Sequence, residues 1–111
     1  MMLPLMALGK YKQAEVVGLT VLKVDQNNYL AKSRLAYSLY MSGEYKQCEK
    51  YYAEIVAQYP SDTTMLMGLG WSLWKQGKKE PAHKVFLQVS EILPGNKQVE
   101  EGLYLSRSEK R

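Results

Sequence analysis

DTTMLMGLGWSLWKQGKKEPAHKVFLQVSEILPG, residues 62–95, decides the fold, because NYLAKSRLAYSLYMSGEYKQCEKYYAEIVAQYPS, residues 28–61, is built on the same plan. With one laid on the other, Asp62 falls on Asn28, Gly77 on Gly43, Ala82 on Cys48, Val89 on Ile55, Ile92 on Gln58 and Pro94 on Pro60. The same step of 34 residues reaches back to Gly9, Ala14, Val21 and Val24, and forward to Asn96. A repeat of this length marks a solenoid of small supersecondary units, each burying its apolar face only against its neighbours.

Within each unit the apolar spacing is helical. Leu35, Ala36 and Leu39 lie on one helix face, Tyr52, Ile55 and Val56 on the next, with Ser42-Gly43-Glu44 between them. The pattern predicts helices over Tyr11 to Val24, Asn28 to Met41, Tyr45 to Tyr59, Asp62 to Lys75, Lys79 to Leu93 and Asn96 to Glu109. Gly43 and Gly77 fall where a chain leaving a helix needs a left-handed residue. Pro60 and Pro94 follow helix ends, Asp62 and Asn96 suit N-caps, and Pro81 sits in a first turn, where its missing N–H has no intrahelical partner. Met1 to Leu8 read as the second half of a helix that turns at Gly9.

Composition narrows the class. In 111 residues, 46% hydrophobic and 23% charged, no apolar run approaches the ~18 residues of a membrane span. The apolar stretch from Met1 to Met6 lacks the basic residues and length of a secretory signal, so no signal peptide and a cytoplasmic location are the expectation. The net charge of +4 is spread through the repeats, which disfavours a nucleic-acid partner. With one histidine and one cysteine, no catalytic residue, metal site or cofactor is expected. Cys48 stands at a small-residue position and reads as a buried hydrophobe, His83 as a partly exposed bystander. Glu100 and Glu101 complement the dipole at the start of the last helix.

The second full unit reads Leu66-x-x-Leu69-Gly70-x-x-Leu73, Ala82-x-x-x-Phe86, Pro94, and the first Leu35-Ala36-x-x-Leu39, Cys48-x-x-x-Tyr52, Pro60. Both resemble the tetratricopeptide repeat, whose pattern is W-x-x-L-G-x-x-Y, A-x-x-x-F and P. Lys32 and Leu66 replace the family's tryptophan, and Gly18 stands where an aromatic ring would pack, which predicts a loosened first pair. The resemblance implies an all-α, right-handed superhelical solenoid of antiparallel helix pairs. Its parts would be a partial repeat (1–28), two full repeats (29–62 and 63–96) and a capping helix (97–111). The cap is expected to bury Val99 and Leu103 and to finish in polar residues from Ser106 to Arg111. Small residues at Ala36, Gly70, Ala14, Cys48 and Ala82 would let helix axes approach, with Tyr52 and Phe86 filling the gaps between repeats.

The same resemblance places a peptide-binding groove on the first helix of each pair. Leu30, Ser33, Arg34, Tyr37, Tyr40 and Met41 would line it from one repeat, and Thr64, Met67, Gly68, Trp71, Trp74 and Lys75 from the next. The cationic clamp by which some family members hold carboxylate tails is absent, since Tyr37 and Gly68 occupy two of its places. A non-catalytic scaffold for a protein or peptide with Leu, Phe or Met anchors is therefore expected. The alternatives are a self-associating fragment, or a regulatory appendage of a larger repeat protein or enzyme. An RNA-binding helical repeat is disfavoured by the 34-residue period. The apolar run Met1, Met2, Leu3, Leu5 and Met6 motivates a weak homodimer through residues 1–22, sensitive to Leu5→Glu or Val17→Glu.

Overall fold

The computed structural model describes residues 5–25 and 28–107, with side chains of the first helix given from Lys12 onward apart from Ala14. Six α-helices follow one another: α1 (Leu5–Val24), α2 (Tyr29–Met41), α3 (Tyr45–Gln58), α4 (Thr63–Lys75), α5 (Lys79–Ile92) and α6 (Lys97–Ser106). Their starts repeat with the sequence. Asn28, Asp62 and Asn96 each hold extended backbone and accept an amide from the first turn, from Ala31 at 2.8 Å, Met65 at 3.2 Å and Val99 at 3.2 Å. Such caps satisfy amides that the helix itself cannot.

The stops repeat too. Gly43 and Gly77 adopt φ of +86° and +80°, and the amides after them fold back, Glu44 onto the Leu39 carbonyl at 2.8 Å and Lys78 onto that of Leu73 at 3.0 Å. Gly95 supplies a third left-handed turn, between α5 and α6. Pro60 and Pro94 stand just past the C-caps Tyr59 and Leu93, as the sequence predicts.

At the N-terminal side the sequence reading needs correction. No turn interrupts the chain at Gly9; α1 runs unbroken from Leu5, well before the expected start at Tyr11. A glycine in a helix interior costs only about 1 kcal/mol, so the repeat's phase does not by itself force a break. The expectation for Met1 to Pro4 falls outside the described residues.

Each helix packs on the next, α2 also touches α4, and α4 touches α6. Among the described residues α1, α3 and α5 do not approach one another. The even helices thus form the inner layer of a curve and the odd helices splay along its outside. Two cores lie between the layers, one around Leu35, Ala36, Leu39, Cys48, Tyr52, Ile55 and Met65, the other around Leu66, Leu73, Ala82, Val85, Phe86, Val89 and Val99. Val56 and Leu69 contact both, which joins the cores into one stack.

Aromatic knobs lock this stack. A Cβ built on Gly68 would meet the Tyr52 ring at 2.5 Å, and one on Gly102 would meet the Phe86 ring at 2.7 Å. Gly70 lies equally close to Phe86, at 2.8 Å, so that ring is pressed between α4 and α6. One turn further along the inner helices, Ser38, Ser72 and Ser106 are all buried at the 34-residue step. Ser72 and Ser106 donate to the carbonyls of Leu69 and Gly102 at 2.8 and 2.6 Å, which lets a hydroxyl sit in a dry contact. Ser106 therefore belongs to the core, not to the polar finish expected of it, and α6 ends there.

Gly18 also differs from expectation. It is buried, with a built Cβ only 3.2 Å from Leu35 Cβ, so α1 lies close on α2 at this point. Close approach at Gly18 takes up part of the space that the missing ring leaves.

Polar contacts between pairs fall on Glu15, Glu49 and His83, which share the 34-residue step, although only the partners of the first two, Ser42 and Gln76, share it as well. The Ser42 hydroxyl donates to Glu15 at 2.7 Å, Gln76 Nε2 to Glu49 at 2.9 Å, and His83 Nδ1 shares a 3.1 Å hydrogen bond with Ser106. Lys78 adds an ion pair to Glu49 at 3.0 Å. Burial works to raise the Glu49 pKa, yet the bonds from Gln76 and Lys78 outweigh it and hold the carboxyl below its ordinary range. A depressed folded-state pKa contributes stability that is present above the unfolded value, near 4.5, and is lost as pH falls through the lowered folded value. Glu49→Gln should thus lower stability at pH 7 by up to about 1 kcal/mol and flatten the acid limb, read as urea midpoints at pH 7 and pH 3. An acid limb identical to that of the unsubstituted chain would rule Glu49 out as its source.

Candidate binding face

The inner layer carries the residues expected of a groove, in three kinds of environment. Leu30 and Tyr37 are 54% and 52% exposed, and Arg34, Thr64 and Lys75 are also exposed. Ser33, Met41, Met67 and Trp71 are half-buried. Tyr40 and Trp74, also half-buried, contribute much of their surface to packing. The Tyr40 ring meets Tyr45 edge to face at 5.4 Å, and Trp74 meets Trp71 in the same way at 5.7 Å. Burial raises the Tyr40 pKa, as fits a hydroxyl partly withdrawn from water.

Gly68 does not open onto the groove as an empty site; it seats the Tyr52 ring. Trp71 has two roles, since its other side lies against Phe86 at 5.0 Å. Lys75 sits 5.6 Å from the Trp74 ring and 5.9 Å from that of Tyr45, so cation and aromatics alternate along one edge. Tyr45 belongs to an outer helix and has no groove signal in the sequence. The face as a whole joins two arms: an exposed α2 arm of Leu30, Arg34 and Tyr37, and a more packed α4 arm of Thr64, Met67, Trp71 and Lys75. A shallow depression of about 180 Å³ runs from Thr64 and Met67 to Asn96 and Val99 on the α6 side.

Other polar residues serve the fold. Tyr29 donates to Asp62, and this bond, with burial second, raises the Tyr29 pKa. Asp62 also caps α4, so one carboxylate registers two repeats. Lys32, in the place of the family's tryptophan, is buried and pairs with Glu54 at 3.0 Å. That pair floors an outer cleft of about 890 Å³ between α1 and α3, lined also by Leu19, Lys23, Lys50 and Tyr51. Cys48 is fully buried, and burial pushes its thiol up to about 12, so it stays protonated and unreactive. His83 is half-buried in its bond to Ser106, more engaged than its sequence position suggests.

Among the described residues no helix is long and apolar enough to cross a membrane. Residues 31–62 match the model of the tetratricopeptide repeat. A search of curated proteins finds no match. Among solved structures, the chain is similar to the MamA RS-1 ArsTM double mutant and to MamA 41-end from Desulfovibrio magneticus RS-1. Both superpose with a TM-score of 0.84 at 24% sequence identity over 92% of this chain. The chain spans 57% and 58% of their lengths. At that identity the likeness establishes the fold: an all-helical solenoid of tetratricopeptide type.

Proposed function

We propose that this chain, a tetratricopeptide-repeat solenoid and so a protein-interaction scaffold in kind, binds a protein or peptide segment along its inner face and performs no chemistry itself. The observation that carries the reading is the set of large side chains exposed to solvent there, Leu30 and Tyr37 above all, beside half-buried Met67 and Trp71. Aromatic and arginine side chains grouped at the centre of a concave surface supply most of the free energy in protein recognition. The absence of a cationic clamp favours apolar anchors over a carboxylate terminus.

The test is binding of a partner, captured with the chain and then purified, to Tyr37→Ala and to the pair Tyr37→Ala, Trp71→Ala. Loss on the order of 30-fold is expected for the pair. Trp71 braces Phe86, so thermal melting must accompany the measurement, and Tyr37→Ala alone separates binding from folding. A control with Lys46→Ala and Glu80→Ala, both exposed near the starts of outer helices, should bind normally. Equal affinity for every variant would dismiss the inner face.

A second reading, weak self-association through α1, is favoured by its apolar outer surface, where Val16, Val17 and Val24 are 64%, 62% and 90% exposed. Covering a few hundred Å² at about 25 cal/mol per Å² would offset part of the entropic cost of pairing. Val17→Glu should then lower the weight-average mass in sedimentation at high concentration. Strict monomer behaviour at every concentration would remove this reading.

A further inference from the structure

The internal repeat provides its own template for a site. At the 34-residue step Gly18, Tyr52 and Phe86 are equivalent, as are Arg34, Gly68 and Gly102. In the later two places a ring from the outer helix is seated against a glycine of the next inner helix, and both rings are buried. In the first place there is no ring. What remains is a pocket of about 400 Å³, lined by Val17, Gly18, Val21, Leu30, Ala31 and Arg34, with Asn28 at its end. At the same step those lining residues correspond to Tyr51, Tyr52, Ile55, Thr64, Met65, Gly68 and Asp62, of which Tyr51, Ile55 and Met65 share a core with Tyr52 and Gly68 seats its ring. The pocket therefore lies where the first repeat's ring would be, although α1 has closed part of the space at Gly18.

We infer that this pocket takes an aromatic side chain from a protein partner, one with a carboxylate beside it, in place of the ring the first repeat lacks. An apolar cavity of about 150 Å³ already accommodates benzene, so the space is ample for a phenyl group. Val17, Val21, Leu30 and Ala31 supply the apolar wall. Arg34, exposed at the rim where the later repeats have glycine, distinguishes this place from its counterparts. A guanidinium pairs with a carboxylate through parallel hydrogen bonds or lies against a ring face, so its presence selects an aromatic anchor with adjoining negative charge. The net charge of +4 on the chain points the same way. Leu30 and Arg34 also belong to the inner face, so the inference rests on that face being the docking surface and names the anchor at its N-terminal end.

The test is an amide-shift titration of the whole 111-residue chain with phenylacetate and, separately, with neutral phenylacetamide. Saturable shifts centred on Gly18, Val21 and Ala31 are expected with dissociation constants of about 1–10 mM, as suits a fragment. Arg34→Gln, an exposed and structurally mild change, should weaken phenylacetate about 2- to 5-fold and leave phenylacetamide unchanged. Val21→Trp, which fills the pocket, should abolish both. No saturable shift, or equal losses for the two probes in Arg34→Gln, would overturn the proposal. Shifts of the same amides on concentrating the chain alone would place a second copy there instead and also overturn it. Shifts centred on the Trp71 and Trp74 indoles would discard the pocket while leaving the inner-face reading intact. Conversely, pocket shifts together with undiminished partner binding by the Tyr37→Ala, Trp71→Ala pair would discard Tyr37 and Trp71 as anchors and keep the pocket as the part of the inner face that docks.

Discussion

A chain ended after Gly95 should lose its cooperative melting transition and aggregate. Helix α6 buries Val99 completely, brings Leu103 against the second core, and lays Gly102 on the Phe86 ring. Without it Phe86, the largest fully buried side chain among the described residues, has one face in water, and the second core loses Val99 and Leu103. Burial of a single valine or phenylalanine is worth about 1.5–3 kcal/mol, and a domain this small has little surplus against such losses. The Ser106 bond to His83 goes as well, leaving a half-buried imidazole without that partner. Circular dichroism melting and light scattering decide the matter. A truncated chain that stays monomeric with an unchanged midpoint would mean that α6 is not a cap.

Phe86→Ala is expected to be the most destabilising single truncation, at about 3–5 kcal/mol. The ring is gripped by Gly70 on one side and Gly102 on the other, with Trp71 edge-on at 5.0 Å, so neighbouring backbone has little freedom to collapse into the void. Tyr52→Ala should cost less, because Tyr52 is slightly exposed where Phe86 is not and the one close glycine is Gly68. The reverse experiment is informative too. Gly102→Ala keeps the ring but drives a methyl to 2.7 Å of it, an overpacked contact worth about 1–3 kcal/mol. Urea unfolding of the three variants gives the order directly, and a Phe86→Ala chain as stable as the unsubstituted one would break the account of the knobs.

Pro60 and Pro94, the turn glycines Gly43 and Gly77, and the caps Asp62 and Asn96 were legible in the chain because each acts through its own backbone or its next few neighbours. Such local constraints need no knowledge of what lies across the core. The period of 34 then implied that each helix pair stacks on a copy of itself, whereas the expected inner-face residues came from the resemblance to the tetratricopeptide repeat and not from the period. Gly9 shows the limit of phase: a glycine at the turn position permits a turn but does not require one, and α1 passes through it.

What the tertiary structure alone decided lies between residues far apart in sequence. The sequence marks Gly68 as groove and Ser106 as surface; only packing reveals that one seats the Tyr52 ring and the other lies under His83. Tyr40 and Trp74 carry the same apolar signature whether or not they pack on other rings, and only the structure shows Tyr40 against Tyr45 of the next helix and Trp74 against Trp71 of its own. Lys32 reads as a lost tryptophan until Glu54 is found beside it. The absence of a ring at Gly18 is visible in the chain, but whether helices close the gap or leave a pocket depends on the approach of α1 to Leu35 and on the side chains around it. Periodicity determined which faces are apolar, since that is a property of spacing along one helix. Which apolar surface is spent on the fold and which remains for a partner is a property of distances between helices, and those are set only when the whole stack has packed.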